Sequence, residues 1–359
     1  MRKLPRFLKI ALMGLIGLIL ITCQKEELQS ENQNLDPTSM LNSQQLKSTS
    51  GESDYLSDLI GMIEAMVSEG SLNEGNANAL ISKINDALKS IEKGNTNAAS
   101  GQLNAFINQI EAFMDNGKIS TEQGQQLIDR AENGIILTEG IFIDPRDGYV
   151  YPVVSIANQI WMAENLAYLP SVNPSSSGSY VTSLYYVYGY EGTNVDEAKA
   201  TSNYATYGVL YNWAAAMAGA SSSNSNPSGV QGVCPCEWHL PSDNEWTQLA
   251  DYLGGEGIAG GKLKEAGYAH WISPNTDATN ESGFTALPGG YFNEYSHTFN
   301  DLSSYGGWWS STENLEPSHP SYSLMRDLFY DRGDVGFENE DLVYGHRSNG
   351  LSIRCVKDQ

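Results

Sequence analysis

The pattern of apolar and polar positions divides the chain into four stretches. Ile10 to Ile21 run without a charge behind a start that carries Arg2, Lys3, Arg6 and Lys9. This run is too short to span a bilayer, which takes about 20 residues. The order basic, apolar, cleavage site predicts a secretory signal peptide over residues 1–22. From Gln24 to Ser53 apolar residues nearly vanish among Gln, Asn, Ser, Thr and Glu. Such a segment cannot bury enough surface to offset the entropy of ordering, so residues 23–53 are expected to be a disordered tether.

From Tyr55 the period becomes helical. Leu56, Leu59, Ile60, Ile63 and Val67 share one stripe, Leu80, Ile84, Leu88 and Ile91 a second, and Leu103, Phe106, Ile107, Ile110 and Phe113 a third. Gly70, Gly94 and Gly117 separate them, and Ser120 with Gln123 forms a capping box that opens a last helix through Leu127 and Ile128. Gly70, Leu72, Leu80 and Ile81 return as Gly117, Ile119, Leu127 and Ile128 at an offset of 117 − 70 = 47 residues, and Ile63 with Ile110 and Glu64 with Glu111 keep it. Two similar helical hairpins are therefore expected to form a small all-α bundle over residues 54–135. The segment resembles the FIMAH module of bacterial cell-wall and secreted proteins. With no titratable cluster on it, a spacer or docking element is the expectation.

Beyond Ile141 lie all seven Trp and all five His, with most of the Tyr and Gly. Aromatic runs between Gly-rich turns predict a β-rich domain over residues 140–359. Tyr149–Ile156 and Gln159–Met162 read as a hairpin around Ala157-Asn158. Leu210, Trp213, Ala214 and Met217 keep helical spacing, as do Trp246, Leu249, Ala250 and Leu253, the latter behind a Ser242/Glu245 capping box and ahead of Gly254-Gly255. Ser323–Tyr330 and Asp341–Tyr344 could pair around an Asp331-Arg-Gly-Asp334 turn, and Leu351–Val356 would close the sheet. The sum is an α+β domain of about two hundred residues.

Composition narrows the partners. The net charge of −23 excludes nucleic acid, which demands basic patches. The same charge excludes a direct electrostatic grip on anionic lipid. Leu20-Ile21-Thr22-Cys23 resembles the lipobox of bacterial lipoproteins, in which Cys23 would be acylated; Thr22 departs from the usual Gly, Ala or Ser. Lys25-Glu26-Glu27 is similar to the export signal of surface lipoproteins in Bacteroidetes, which implies the outer leaflet of the outer membrane.

The C-terminal motifs are more distinctive than their secondary structure. Ile160-Trp-Met-Ala-Glu-Asn-Leu166, Gly208-Val-Leu-Tyr-Asn-Trp213, Trp238-His-Leu-Pro-Ser-Asp-Asn-Glu-Trp246, Ala286-Leu-Pro-Gly-Gly290, Trp308-Trp-Ser-Ser-Thr312 and Ser352-Ile-Arg-Cys-Val356 stand in one order. This resembles the Fibrobacter succinogenes major paralogous domain, over about Phe142 to Asp358. The resemblance implies a fold akin to C-type lectin-like and formylglycine-generating-enzyme-like domains, and no defined activity. It also implies a pairing of Cys234 with Cys355, which occupy the family's two cysteine positions. Cys236 departs from the pattern and could exchange with Cys234, stay free, or belong to a Cys-x-Cys metal pair.

Acid–base chemistry at His239, Ser242, Asp243 and Glu245 competes with helix capping, which already explains their spacing, and no elbow motif marks Ser310 or Ser311 as a nucleophile. No catalytic residue is assigned. Asp331, Asp334, Glu338, Glu340 and Asp341 form the densest acidic run, where Asp331 and Asp334 are the candidate calcium ligands, although turn chemistry explains them too. For ligand binding the aromatic residues are informative. Trp271, Tyr291, Trp308 and Trp309, with Phe292 and Tyr295, fall where lectin-like folds carry long loops. Trp308 and Trp309 would point to opposite faces of an extended strand, so at least one is expected to be core. Tyr185, Tyr186, Tyr188 and Tyr190 lie in a stretch that departs from the family pattern and could be an insertion. The leading expectation is a surface lipoprotein with a non-catalytic module for glycan or polysaccharide. The alternatives are a structural or protein-binding surface component, and an enzyme of formylglycine-generating-like fold.

Overall fold

The structure, a computed structural model, describes residues 49–314, 321–336 and 344–358. The expected signal peptide, Cys23 and nearly all of the expected tether lie outside the described residues.

Helices α1 (Thr49–Ser68), α2 (Glu74–Glu92), α3 (Thr96–Asp115) and α4 (Thr121–Glu139) pack in chain order, and α1 closes against α4. The 47-residue repeat is the repeat of the core. Leu56 and Leu103, Leu59 and Phe106, Ile63 and Ile110, Leu72 and Ile119, Leu80 and Leu127 are all buried pairs at that spacing. Each such side chain contributes roughly 1.5–3 kcal/mol by leaving water. The helix ends repeat too. Asn73 and Ser120 cap α2 and α4 by accepting the N–H of Asn76 and Gln123, and Gly70 and Gly117 take the positive φ that ends the preceding turn.

Both outer boundaries of the bundle exceed the expected 54–135. Helix α1 starts at Thr49, within the expected tether, because its first turn holds no apolar residue and leaves no mark in the hydrophobic period. Helix α4 continues to Glu139 because its last turn belongs to another core: Leu137, with Tyr55 of α1, is buried against Tyr151 and its neighbours in the next domain. Arg130 lies over the Tyr55 ring at 3.7 Å, and Asn133 donates to the Asp358 carbonyl at 3.2 Å.

The C-terminal domain is α+β. Its elements are β1 (Ile141–Ile143), β2 (Val150–Ile156), β3 (Gln159–Met162), β4 (Tyr185–Tyr186), α5 (Val195–Lys199), α6 (Ser202–Tyr207), β5 (Leu210–Tyr211), α7 (Trp213–Met217) and β6 (Trp238–His239). There follow α8 (Asp243–Tyr252), α9 (Glu256–Leu263), β7 (Tyr291–Asn293), β8 (Thr298–Asn300), β9 (Tyr305–Glu313), β10 (Tyr322–Phe329), β11 (Tyr344–His346) and β12 (Val356–Lys357). An antiparallel sheet runs β1-β2-β3-β12-β6, so the last strand lies between β3 and β6. A second sheet runs β11-β10-β9, and β4–β5 and β7–β8 form separate ribbons.

The predicted hairpin is β2–β3, with Ala157 and Asn158 both at positive φ, the geometry of a two-residue turn whose twist suits the strands. Both halves of the Ser242/Glu245 capping box form. The helix expected from Leu210 is shorter: Leu210 and Tyr211 pair with β4, and Asn212 caps α7 through the Ala215 N–H. Strand β10 pairs with β11, which starts at Tyr344 where the expected Asp341–Tyr344 strand ends, and the register sets Tyr322 opposite His346; residues 341–343 lie outside the described residues. The closing strand is confined to Val356–Lys357, because Leu351 and Ser352 make isolated bridges to Tyr211 and Trp308 instead. Helix α9 carries no clear stripe. Its Gly260 and Gly261 are there for contact, since a Cβ on either would overlap the carbonyl oxygens of Asp334 and Asp277.

Candidate functional site

Strand β9 decides the fate of the predicted tryptophans. It lies between two cores, with Trp308 packed on Trp246 and Phe284 and Trp309 facing Tyr211 and Met325. Trp308 is 1 % exposed and Trp309 0 %, and their indole N–H groups donate to Asn165 Oδ1 (2.8 Å) and the Tyr211 carbonyl (2.7 Å). Trp271 is likewise buried and donates to the Ala286 carbonyl at 2.9 Å. The expectation that these three rings face a ligand is corrected: alternation put Trp308 and Trp309 on opposite faces, and both faces are covered. Tyr291 is half-buried against Tyr305.

The pairing of Cys234 with Cys355 is present, with Cα atoms 5.9 Å apart across 121 residues. Closing a loop of that length contributes about 4–5 kcal/mol in the chain-entropy model. The bridge takes Cys234 and not Cys236, so the exchange of the two is not seen.

The Asp331–Asp334 turn is organised around an ammonium. Lys264 Nζ donates to the carbonyls of Phe329 (3.0 Å) and Arg332 (2.6 Å), and Asp334, itself buried, pairs with Arg332 at 3.6 Å. Burial lowers the Lys264 pKa to about 8, against the opposing pull of Asp277, Asp334 and Asp331. Among the described residues no three His, Cys, Asp or Glu side chains gather as metal ligands, so Asp331 and Asp334 are not brought into such a set. Glu338, Glu340 and Asp341 lie outside the described residues.

The acid–base candidates are brought together, but inside the protein. His239 is 2 % exposed, with Nδ1 2.6 Å from Asp358 Oδ1 and Nε2 2.7 Å from Glu245 Oε1. Burial alone would lower its pKa, yet the two carboxylate hydrogen bonds raise it to about 9, so the ring is an imidazolium donating from both nitrogens. Glu245 Oε2 accepts the backbone N–H groups of Ser242 and Ser228. Ser310 and Ser311 donate to the carbonyls of Leu324 and Ser223. These hydroxyls and this imidazole have their hydrogen bonds filled by structure. Another buried cation, Arg354, donates to Asn165 Oδ1 and to the carbonyls of Met162, Phe284 and Thr285. Burial lowers its pKa to about 9, opposed by Glu164.

The exposed chemistry is elsewhere. The tip of β7–β8 carries Tyr295, 68 % exposed, with its ring 4.9 Å from that of His346 on β11 and a hydrogen bond to Tyr322. The His346 ring in turn meets Tyr322 edge-on at 5.2 Å. The tip is held in shape. Asn293 Oδ1 accepts the N–H groups of Tyr295 and Ser296, Glu294 N–H donates to Asn349 Oδ1, and His297 Nδ1 lies 2.9 Å from the Ser175 carbonyl. Gly178 sits so close under Glu294 that a Cβ would overlap its side chain. Beneath lies a small core of Leu184, Tyr186, Leu210 and Phe292, so the tyrosine-rich stretch, which contains β4, supports these loops. Sequence reasoning picked out Tyr295 but not His346 or Tyr322. Only the β10–β11 register sets those two side by side, and no local spacing marks it.

These features define an α+β domain built on buried cations and a disulfide, carried behind a four-helix module. Residues 154–357 match the Fibrobacter succinogenes major domain, and the chain belongs to that family. Residues 56–135 match the FIMAH domain. No curated protein and no solved structure matches the chain.

Proposed function

We propose that the C-terminal domain is a non-catalytic, lectin-like module that binds glycan or polysaccharide outside the cell, on a lipoprotein anchored through Cys23 to the outer membrane. The observation that carries this reading is the Tyr295 ring, exposed on a braced hairpin and backed by His346 and Tyr322. A flat, exposed ring on a braced loop suits the stacking that sugars require. The disulfide suits an oxidising compartment. Acid–base groups held in buried hydrogen bonds favour binding over turnover.

A glycan and polysaccharide array with the purified protein and its Tyr295→Ala variant tests the reading. Binding that falls about tenfold or more in the variant, as expected when a stacked ring worth ~1.4 kcal/mol is lost, supports it. A blank array from folded protein overturns it and leaves a protein partner. Because the Asp331–Asp334 turn is built around Lys264, a chelator is expected to leave binding unchanged; loss of binding would show that a divalent cation takes part.

A further inference from the structure

Two loops of the C-terminal domain each present an exposed tyrosine, and the loops touch. Tyr295 is 68 % exposed, and Tyr180, in the Ser- and Gly-rich stretch before β4, is 57 % exposed. The two turns are braced in the same way. Asn293 Oδ1 accepts the N–H groups of Tyr295 and Ser296, and Ser179 Oγ accepts those of Val181 (3.2 Å) and Thr182 (2.9 Å). The Tyr180 turn is also clamped from below. Asn212, fully buried, donates through Nδ2 to the carbonyls of Ser179 (2.6 Å) and Thr182 (2.7 Å), one on each side of Tyr180 in the chain, while its Oδ1 accepts from the N–H groups of Leu184 and Ala215. A buried amide with its donors and its acceptor engaged fixes the turn in one shape. Rings that stand in water on turns held this firmly offer flat apolar surface with little left to order on binding.

The loops meet at Gly178 and Glu294, where a Cβ on the glycine would overlap the glutamate side chain, and again at Ser175, whose carbonyl lies 2.9 Å from His297 Nδ1. Tyr180 stands two chain steps from the first of these contacts and Tyr295 one, at about 3.8 Å a step. Both rings therefore border one junction, and the Glu294 carboxylate stands at it.

We propose that Tyr180 and Tyr295 are two stacking positions of a single site whose ligand is the interior of an uncharged polysaccharide chain. The proposal rests on the reading of the C-terminal domain as a glycan-binding module and adds to it the length and the charge of the ligand. One ring holds the face of one sugar, whereas two rings on separate loops serve a ligand that reaches both. The Glu294 carboxylate sets the charge, since a polyuronate crossing the junction would meet a like charge there and lose affinity.

A polysaccharide array spotted with neutral glucans, xylan and mannan and with polygalacturonate and alginate tests it, using the whole protein and its Tyr180→Ala, Tyr180→Phe and Tyr295→Ala variants. Fragments of each bound polysaccharide, from disaccharide to octasaccharide, are then titrated by calorimetry. The protein is expected to bind neutral chains, and each alanine variant to bind them about tenfold more weakly. Tyr180→Phe keeps the ring and is expected to bind within about twofold of the protein, which separates loss of stacking from a disturbed turn. The octasaccharide is expected to bind about tenfold or more tightly than the disaccharide, an advantage that Tyr180→Ala removes. Equal binding by the protein and either alanine variant overturns the two-ring site; if only Tyr180→Ala is without effect, the glycan reading stands. A disaccharide bound as tightly as the octasaccharide overturns it too, and preference for polygalacturonate or alginate overturns the uncharged ligand. A blank array from folded protein removes the glycan reading itself, and this site with it.

Discussion

The helical module and the C-terminal domain are stabilised in different ways. The module buries leucine, isoleucine and phenylalanine along a repeated stripe, with few buried polar groups. The domain buries Arg354, Lys264 and the His239 imidazolium among its tryptophans, and satisfies each cation with carbonyls or carboxylates drawn from distant parts of the chain. A module of the first kind tolerates change of detail, because apolar contacts are non-directional. A domain of the second kind depends on each partner being in place, because an unpaired buried polar group costs its full desolvation. That difference explains how the hairpins could diverge at Val67 and Met114, equivalent positions of the repeat, and keep one fold.

The sharpest break of the contrast is Arg354→Ala. It removes one of the two donors to Asn165 Oδ1 and the guanidinium donors to three carbonyls at the junction of β3, β12 and the Phe284 loop, and is expected to cost about 3–5 kcal/mol. In a denaturant titration the near-ultraviolet signal of the tryptophans should be lost early while helical ellipticity persists; joint loss in one transition would show that the module and the domain fold as a unit.

Next in size is Leu80→Ala beside its repeat partner Leu127→Ala. Each is fully buried, and each is expected to cost about 2–4 kcal/mol through lost transfer energy and a cavity. Calorimetry should find similar losses at the two positions, since the repeat places them in equivalent surroundings. A loss at Leu127 much greater than at Leu80 would show that docking of α4 on the domain adds to its core.

The smallest effect is set by pH. The His239 pKa is raised to about 9 in the folded protein from an ordinary value near 6.5, so its contribution is fully present below pH 6.5 and is lost as pH rises through 9. Between pH 6.5 and 8 the stability difference between the protein and His239→Asn is expected to shrink by on the order of 1–2 kcal/mol. Lys264 acts in the opposite sense above about pH 8, because burial lowers its folded pKa. The comparison with the variant isolates the histidine; a pH-independent difference would mean that His239 is neutral.

Much was legible from the sequence where the determinants are local. The stripes of α1–α4, the 47-residue repeat, the Ser120 and Ser242 capping boxes and the Ala157-Asn158 turn rest on residues within one or two turns of each other. The aromatic residues were harder. Tyr295 and Trp308 both stand in Gly-, Ser- and Asn-rich surroundings, and nothing local distinguishes an exposed ring from one enclosed on both faces of its strand. The same holds for Asp334, whose neighbour Lys264 is 70 residues away (334 − 264 = 70) and reaches it only through the packing of α9.

By itself the sequence determined the helices of the module, α8, the β2–β3 hairpin, the class of each domain and the chemistry available, because backbone propensity, hydrophobic period and capping act over a few residues. Tertiary structure alone decided which of those groups meet water. Burial and charge pairing depend on contacts between distant segments, and those contacts enclose Trp271, Trp308, Trp309 and His239 while leaving Tyr295, beside His346 and Tyr322, at the surface.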